Sequence, residues 1–291
     1  MVKQLLGIIG SPRKHGNCEM FIKEVYTSFP REWELSLVRL PDWDIRPCKA
    51  CYQCLFGEMQ CAQRDEFNQL LDLLAGCDAY VVAAPTYLLA ANASLKVFLD
   101  RGLSFYGKLE AMWAKPAAAV AIAGIAGLEG STKLNVESFV KLTFGDLRAS
   151  SVIYGALPGE IFFDQAARLT AAQIADSLLN GSAPGEPDVP RCTVCGGDTF
   201  KFLPGGKIHC MLCSSLGRYE VAEGGLSVRT EAGEHAFFIS KEAASQHADW
   251  LQQMKGRFMQ CRRDLKEVAR PYTSIGSWIR PTSSNDKPEQ S

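Results

Sequence analysis

From residue 3 to about 180 the sequence alternates short apolar runs with amphipathic stretches, and this alternation confines the chain to one architecture. Runs of strand length occur at Gln4–Ile9, Trp33–Leu40, Ala79–Ala84, Ala117–Ala123 and Ser151–Ala156. Between them apolar residues fall at helical spacing, as at Phe21, Val25 and Phe29, and again at Phe67, Leu70, Leu71 and Leu74, with Asp65 placed to cap. Further helices are expected over 131–144 and 164–180. Repeated crossover units imply a parallel sheet with helices on its faces, so the fold class is α/β, a doubly wound sheet of five parallel strands.

The pattern stops at NGSAPGEPDVP, residues 180–190, which reads as a linker. Beyond it TFKFL, RYEV and LSVRT are short, Gly-interrupted runs expected to form small antiparallel strands, and residues 241–269 read as one long helix. In that helix Leu251, Met254, Phe258, Cys261, Leu265 and Val268 recur at alternating spacings of three and four, a narrow stripe suited to packing on another helix. The expected organisation is a first domain over 1–182 with an inserted loop at 46–62, a small module over 190–240, a helix and anchor over 241–280, and a disordered tail over 281–291.

Charge and composition exclude several classes of function. Lys and Arg number 31 against 32 Asp and Glu, a net charge of −1, so bulk electrostatics hold the chain to neither nucleic acid nor an anionic membrane. The longest apolar stretch, Pro116 to Leu128, is short of the roughly 20 residues needed to cross a bilayer. The opening MVKQLLGIIGSPRKHG shows no export signal. A reducing, cytoplasmic compartment is therefore expected, in which clustered thiols bind metal or do redox chemistry rather than form disulfides.

Eight of the 11 cysteines form two tight groups. Cys48, Cys51, Cys54 and Cys61 lie in one loop after the second strand. Three cysteines at this spacing can wrap one face of an iron–sulfur cube while a fourth closes the remaining corner. Zinc fits less well, because structural zinc sites pair two separated Cys-x2-Cys knuckles. Cys192 and Cys195, then Cys210 and Cys213, are two such knuckles, joined by a hairpin that turns at Pro204 to Gly206. This second group looks like a zinc ribbon; iron would need the same four thiolates. His209 beside it is expected at the surface.

Three loops end strands on one side of the sheet. Gly10-Ser11-Pro12-Arg13-Lys14-His15-Gly16-Asn17 joins the first strand to a helix N-terminus, where backbone N–H groups and the helix dipole favour an anion. The loop lacks both the dinucleotide glycine triplet and a Walker lysine, which favours one terminal phosphate held by N–H groups, Ser11, Arg13 and Asn17. The third strand ends in Ala84-Pro85-Thr86-Tyr87-Leu88 and the fourth in Ala123-Gly124-Ile125-Ala126-Gly127. In doubly wound sheets ligands lie beyond the carboxyl ends of the strands, where such loops converge.

On GSPRKHGN, APTYLLAANASLKVFLDR and AGIAGLEG, over roughly residues 1–180, the chain resembles the NADPH-dependent FMN reductase and iron–sulfur flavoprotein superfamily. The resemblance implies a flavodoxin-like fold with the FMN phosphate at Ser11, Arg13, Gly16, Asn17 and Cys18. It places the flavin ring near Pro85, Thr86, Tyr87, Leu88, Gly124 and Gly127. The run of cysteines after the second strand is similar to the iron–sulfur branch and implies one [4Fe–4S] cluster. The expected function is electron transfer between NAD(P)H or a ferredoxin and an acceptor the sequence does not identify, in a homo-oligomer. Two alternatives remain: a redox-sensing regulator that uses the ribbon and basic last helix for nucleic-acid or protein contact, and a plain flavin or quinone reductase without the cluster. Nucleic acid is the less expected partner, because residues 255–270 carry six basic and two acidic side chains but no interleaved aromatic platform.

Overall fold

A computed structural model describes residues 2–181, 189–222, 225–234 and 236–277. The expected linker falls mostly, and the expected tail wholly, outside the described residues. Five parallel strands, β1 (Lys3–Ile9), β2 (Trp33–Arg39), β3 (Ala79–Tyr87), β5 (Pro116–Ala123) and β6 (Asp146–Tyr154), lie in the order β2-β1-β3-β5-β6. That is the flavodoxin-like doubly wound order. The short strand β4 (Ala90–Ala91) pairs antiparallel with the end of β3.

Two helical layers bury the sheet. On one face, α1 (Asn17–Thr27) and α6 (Ala166–Asn180) pack Phe21, Ile22, Val25, Ile174 and Leu178 against the odd residues of β1 and β3. On the other lie α2 (Phe67–Gly76), α3 (Ala93–Leu99), α4 (Leu109–Met112) and α5 (Thr132–Leu142). Here Phe67, Phe98, Phe105 and Phe139 form a chain of ring contacts with neighbouring centroids 5.1–5.5 Å apart. Burying each such ring stabilises the fold by about 2–3 kcal/mol. Strands this apolar are what a sheet covered on both faces requires.

Three of the boundaries that differ from expectation have a physical reason. The last parallel strand begins at Asp146 rather than Ser151 and ends at Tyr154. It is an edge strand, so its half-exposed polar start DLRAS carries no apolar run for a sequence reading to detect. Strand β3 continues past Ala84 to Tyr87 because Thr86 and Tyr87 pair with Ala91 and Ala90. The helix expected over 131–144 is the shorter α5, since Phe144 takes a left-handed φ of 61° and ends it.

A second sheet, antiparallel in the order β10-β9-β8-β7, is built from β7 (Phe200–Leu203), β8 (Lys207–Cys210), β9 (Leu216–Ala222) and β10 (Gly225–Glu231). The β7–β8 hairpin turns through Pro204 to Gly206 as the sequence indicates. The chain divides into two compact units, Met1–Ala248 and Asp249–Ser291. The second sheet belongs to the first unit, where Lys133 of α5 is ion-paired to Asp198 beside the first knuckle. Helix α7 (Lys241–Ala269) forms where expected. Along its apolar stripe Phe258, Leu265 and Val268 stand exposed. No helix among the described residues is long and apolar enough to cross a membrane.

Candidate functional site

The strand-end loops meet as one rim. A Cβ added at Gly10 would lie 3.1 Å from Ala84, and one at Gly124 would lie 3.5 Å from Ala156, so the loops after β1, β3, β5 and β6 are near neighbours. The first intrahelical bond of α1 runs from the Met20 N–H to the Gly16 carbonyl, so the N–H groups of Asn17, Cys18 and Glu19 have no intrahelical acceptor. The Arg13 N–H donates to Ser11 Oγ at 3.2 Å and folds the loop over this end. That is a cradle for an anion.

Side chains around the cradle have distinct tasks. Cys18 is buried, and burial pushes its thiol up to about 12, so it remains neutral beside any bound phosphate. Glu19 places a buried carboxylate in the same first turn. Burial works to raise it, but hydrogen bonds from Lys23, the His15 backbone N–H and Arg39 hold it at about 2. Those cations offset the negative charge that would otherwise oppose an anion there. Asn17 donates from Nδ2 to the carbonyls of Gly155 and Leu157 and accepts at Oδ1 from the Gly159 N–H. Its amide is thus spent on the loop after β6, and what faces the cradle is its backbone N–H. Arg13 Nη1 reaches the Ala156 carbonyl of the same loop at 3.4 Å. Nothing local singles out this fourth loop, GALPGEIFF, because the partners that draw it into the rim lie in the first loop.

The hairpin after β3 is fixed from beneath. Leu88 and Leu89 take left-handed φ values of 49° and 63°, and the Ser131 N–H donates to the Leu89 carbonyl. A Cβ at Gly130 would lie 2.1 Å from that carbonyl, so only glycine permits the approach. Thr86 Oγ1 bonds to Thr132 Oγ1 at 2.8 Å, which ties Pro85–Leu88 to the loop carrying Gly124 and Gly127. Tyr87, Leu88, Ile125, Leu128 and Tyr154 remain solvent-exposed on this rim, and Leu88 is 101% exposed. An exposed apolar patch beside an anion cradle suits a planar, phosphorylated ligand.

The first cysteine loop, between β2 and α2, is fastened at its base. The Arg46 N–H donates to Asp65, Gln63 Nε2 donates to the Pro47 carbonyl, and Asn68 of α2 holds both backbone groups of Cys61. Within the loop Ala50, Tyr52 and Met59 all take φ values between 49° and 57°, a concentration of strain that turns the chain sharply between cysteines. Cys48, Cys51, Cys54 and Cys61 line one small cavity together with Arg101 and Leu103. Burial raises the Cys54 thiol. These four sulfurs do not close to the span found in the second group. Four cysteine sulfurs on one cavity are the donor set that a [4Fe–4S] cluster takes, one for each iron.

Asp65 accepts the Phe67 N–H at 3.3 Å, as a cap would, but its main partner is Arg101. Both side chains are 0% exposed and meet through two bonds of 2.6 and 3.0 Å. Sequence reasoning did not single out Arg101. The one signal was a charge set in the apolar run SLKVFLDRGLSF.

In the second group Cys192, Cys195, Cys210 and Cys213 place all four sulfurs within 4.8 Å of one another. Two pairs are separated by 3.5 and 3.6 Å. A tetrahedral ion with thiolates at about 2.3 Å requires sulfurs about 3.8 Å apart, so the residues fit a single ion. Hydrogen bonds from Cys195 and Cys210 drive the Cys213 thiol far down, while those two thiols are themselves raised by the shared contacts. His209 is half-buried, with Nε2 against the Ser214 carbonyl, and is not a ligand.

The NADPH-dependent FMN reductase family model matches residues 4–152. The chain belongs to that family. It is 34% identical to an iron–sulfur flavoprotein of Archaeoglobus fulgidus over 101 residues, which is 34% of this chain and 46% of that protein. It is 32% identical to an iron–sulfur flavoprotein of Methanosarcina thermophila over 122 residues, 42% of this chain and 63% of that one. The chain thus spans about half the length of the curated relatives it matches. In fold it is similar to a solved flavone reductase, with a TM-score of 0.69 at 15% identity over 96% of this chain and all of that one. That likeness extends across the second sheet and the last helix as well as the flavodoxin-like part.

Proposed function

We propose that this family member is an iron–sulfur flavoprotein that moves electrons between NAD(P)H or a ferredoxin and a further acceptor. FMN would rest in the rim of four loops and a [4Fe–4S] cluster on Cys48, Cys51, Cys54 and Cys61. Zinc would be held by Cys192, Cys195, Cys210 and Cys213 as a structural ion, since all four positions are filled by protein thiols and none is left for chemistry. When bound, FMN links two-electron to one-electron chemistry, and an iron–sulfur centre carries single electrons.

The observation that carries this reading is the placing of α3. Its N-terminus is capped by Asn92, which ends the hairpin expected under the flavin ring, and its C-terminus leads directly to Arg101, which lines the cysteine cavity. Seven helical residues span only about 10 Å. The rim and the cysteine cavity therefore sit at opposite ends of one short rigid element. Within the rim, the first-turn N–H groups of α1 and Ser11 would bind the phosphate, and the hairpin would present a flat apolar face to the ring. The family relationship and the named iron–sulfur relatives support the same reading.

The test is isolation without oxygen followed by flavin, iron, sulfide and zinc analysis. Yellow-brown protein with FMN and about four irons per chain, bleached by NAD(P)H or a reduced ferredoxin, is expected. Iron-free protein that takes up no added FMN would overturn the proposal.

A further inference from the structure

Two buried polar groups beside the cysteine loop lack a well-formed hydrogen bond in the protein alone. Arg101 Nε and Ser104 Oγ are both shut off from solvent, and neither has a hydrogen-bond partner among the described residues. Leaving such a donor unpaired costs about 1–3 kcal/mol, so an unpaired pair on one turn calls for a partner that arrives later. Both residues belong to the segment that follows α3, and both are turned toward the cysteine loop. The Ser104 hydroxyl faces the sulfur of Cys54, and the Arg101 guanidinium faces Cys61. A neutral thiol is a weak acceptor, whereas a metal-bound thiolate is a strong one.

The segment cannot drift from this position. Arg101 is locked by its two bonds to Asp65, donates from Nη1 to the Arg46 carbonyl, and lies over the Phe67 ring with 4.2 Å to the centroid. Three residues beyond Ser104, a Cβ at Gly107 would lie 2.6 Å from the Met59 carbonyl, so the segment and the cysteine loop are in backbone contact. The donors are therefore held in place whether or not anything is bound.

We infer that Arg101 and Ser104 are positioning residues that donate hydrogen bonds to the cluster's sulfur ligands at Cys61 and Cys54 and so set its reduction potential. This rests on the proposal that Cys48, Cys51, Cys54 and Cys61 hold a cluster. Adding an electron makes the cluster more negative, and fixed donors at its sulfurs stabilise that form more than the oxidised one. Their presence raises the potential, which eases electron transfer from a flavin at the other end of α3. Asp65 keeps the net charge of the Arg101 pair near zero, so the effect comes from directed N–H and O–H groups and not from bulk charge.

The test is a potentiometric titration of anaerobically isolated full-length protein, with the reduced cluster followed by electron paramagnetic resonance and iron and sulfide assayed on each sample. Ser104→Ala is expected to keep its iron and lower the reduced-to-oxidised ratio at the wild-type midpoint by roughly tenfold, about 59 mV for one electron. The double variant Arg101→Met with Asp65→Asn removes the second donor without leaving a buried carboxylate unpaired, and should shift the ratio the same way. The flavin midpoint should not move in either. Full iron with an unchanged ratio in Ser104→Ala overturns the inference, and so does loss of iron from Ser104→Ala, which would make the hydroxyl architectural. A wild-type protein without iron would instead sink the proposal that a cluster is present.

Discussion

Asn17, the first residue of α1, holds Gly159 across 142 positions of sequence: its Oδ1 accepts the Gly159 N–H at 2.8 Å while its Nδ2 binds two carbonyls of the same loop. A residue that the spacing of the first loop nominates for phosphate thus also assembles the rim with its side chain. Asn17→Ala should lower stability by about 2 kcal/mol in chemical denaturation and weaken FMN binding, measured by fluorescence of released flavin. Asn17→Asp keeps the acceptor for Gly159 but sets a carboxylate against two carbonyls, and should be no better.

Acid sensitivity should trace to Glu19. Its folded pKa of about 2 lies below the ordinary carboxylate value of 4.5 despite burial, which opposes the shift, because Lys23, the His15 backbone N–H and Arg39 bind the ionised form. A depressed carboxylate contributes stability that is full above about pH 4.5 and lost as pH falls through 2, worth up to about 3 kcal/mol. Glu19→Gln should therefore be less stable than wild type at pH 6. The gap should close between pH 4.5 and 2, as read from denaturation midpoints across that range.

The two cysteine groups should empty independently. Cys51→Ser is expected to remove iron while zinc and FMN are retained, and Cys213→Ser the reverse. Metal analysis of both variants checks this, and unchanged iron in Cys51→Ser would favour a reductase without a cluster.

Loss of zinc should also be felt in α5. Lys133 binds both Glu137 on its own helix and Asp198 beside the first knuckle, and Leu134 packs against the cysteine group. Chelator treatment or Cys213→Ser should raise hydrogen exchange in residues 128–137 as well as in the second sheet, with little change in α2.

Along α7 the stripe residues Phe258, Leu265 and Val268 are exposed, although the alternating spacing of three and four is that of a helix-pairing seam. Phe258→Asp is expected to lower the oligomeric state in light scattering without changing flavin content.

Much of this was legible in the sequence because buried parallel strands must be apolar throughout and cysteine spacing is dictated by metal geometry. The parallel sheet of five strands, both cysteine groups and the three strand-end loops follow from those patterns; the flavodoxin-like order came from the resemblance to the family. What escaped was of another kind. The start of β6 is polar because an edge strand needs no apolar face. The 155–163 loop is tied into the rim by the side chains of Asn17 and Arg13, partners about 140 residues away. Arg101 and Asp65 are 36 positions apart, and nothing local to either shows that they meet.

The brevity of α3 has a consequence for how this family can change. Inserting one residue would turn everything after it by about 100° and advance it 1.5 Å, swinging Arg101 and Ser104 away from the sulfurs while the hairpin stayed put. Substitutions on the outer side of this helix should be borne freely, but its length should not vary. Lineages that lengthen or shorten it should have abandoned the cysteines, so counting residues between Asn92 and Arg101 would sort relatives with a cluster from those without.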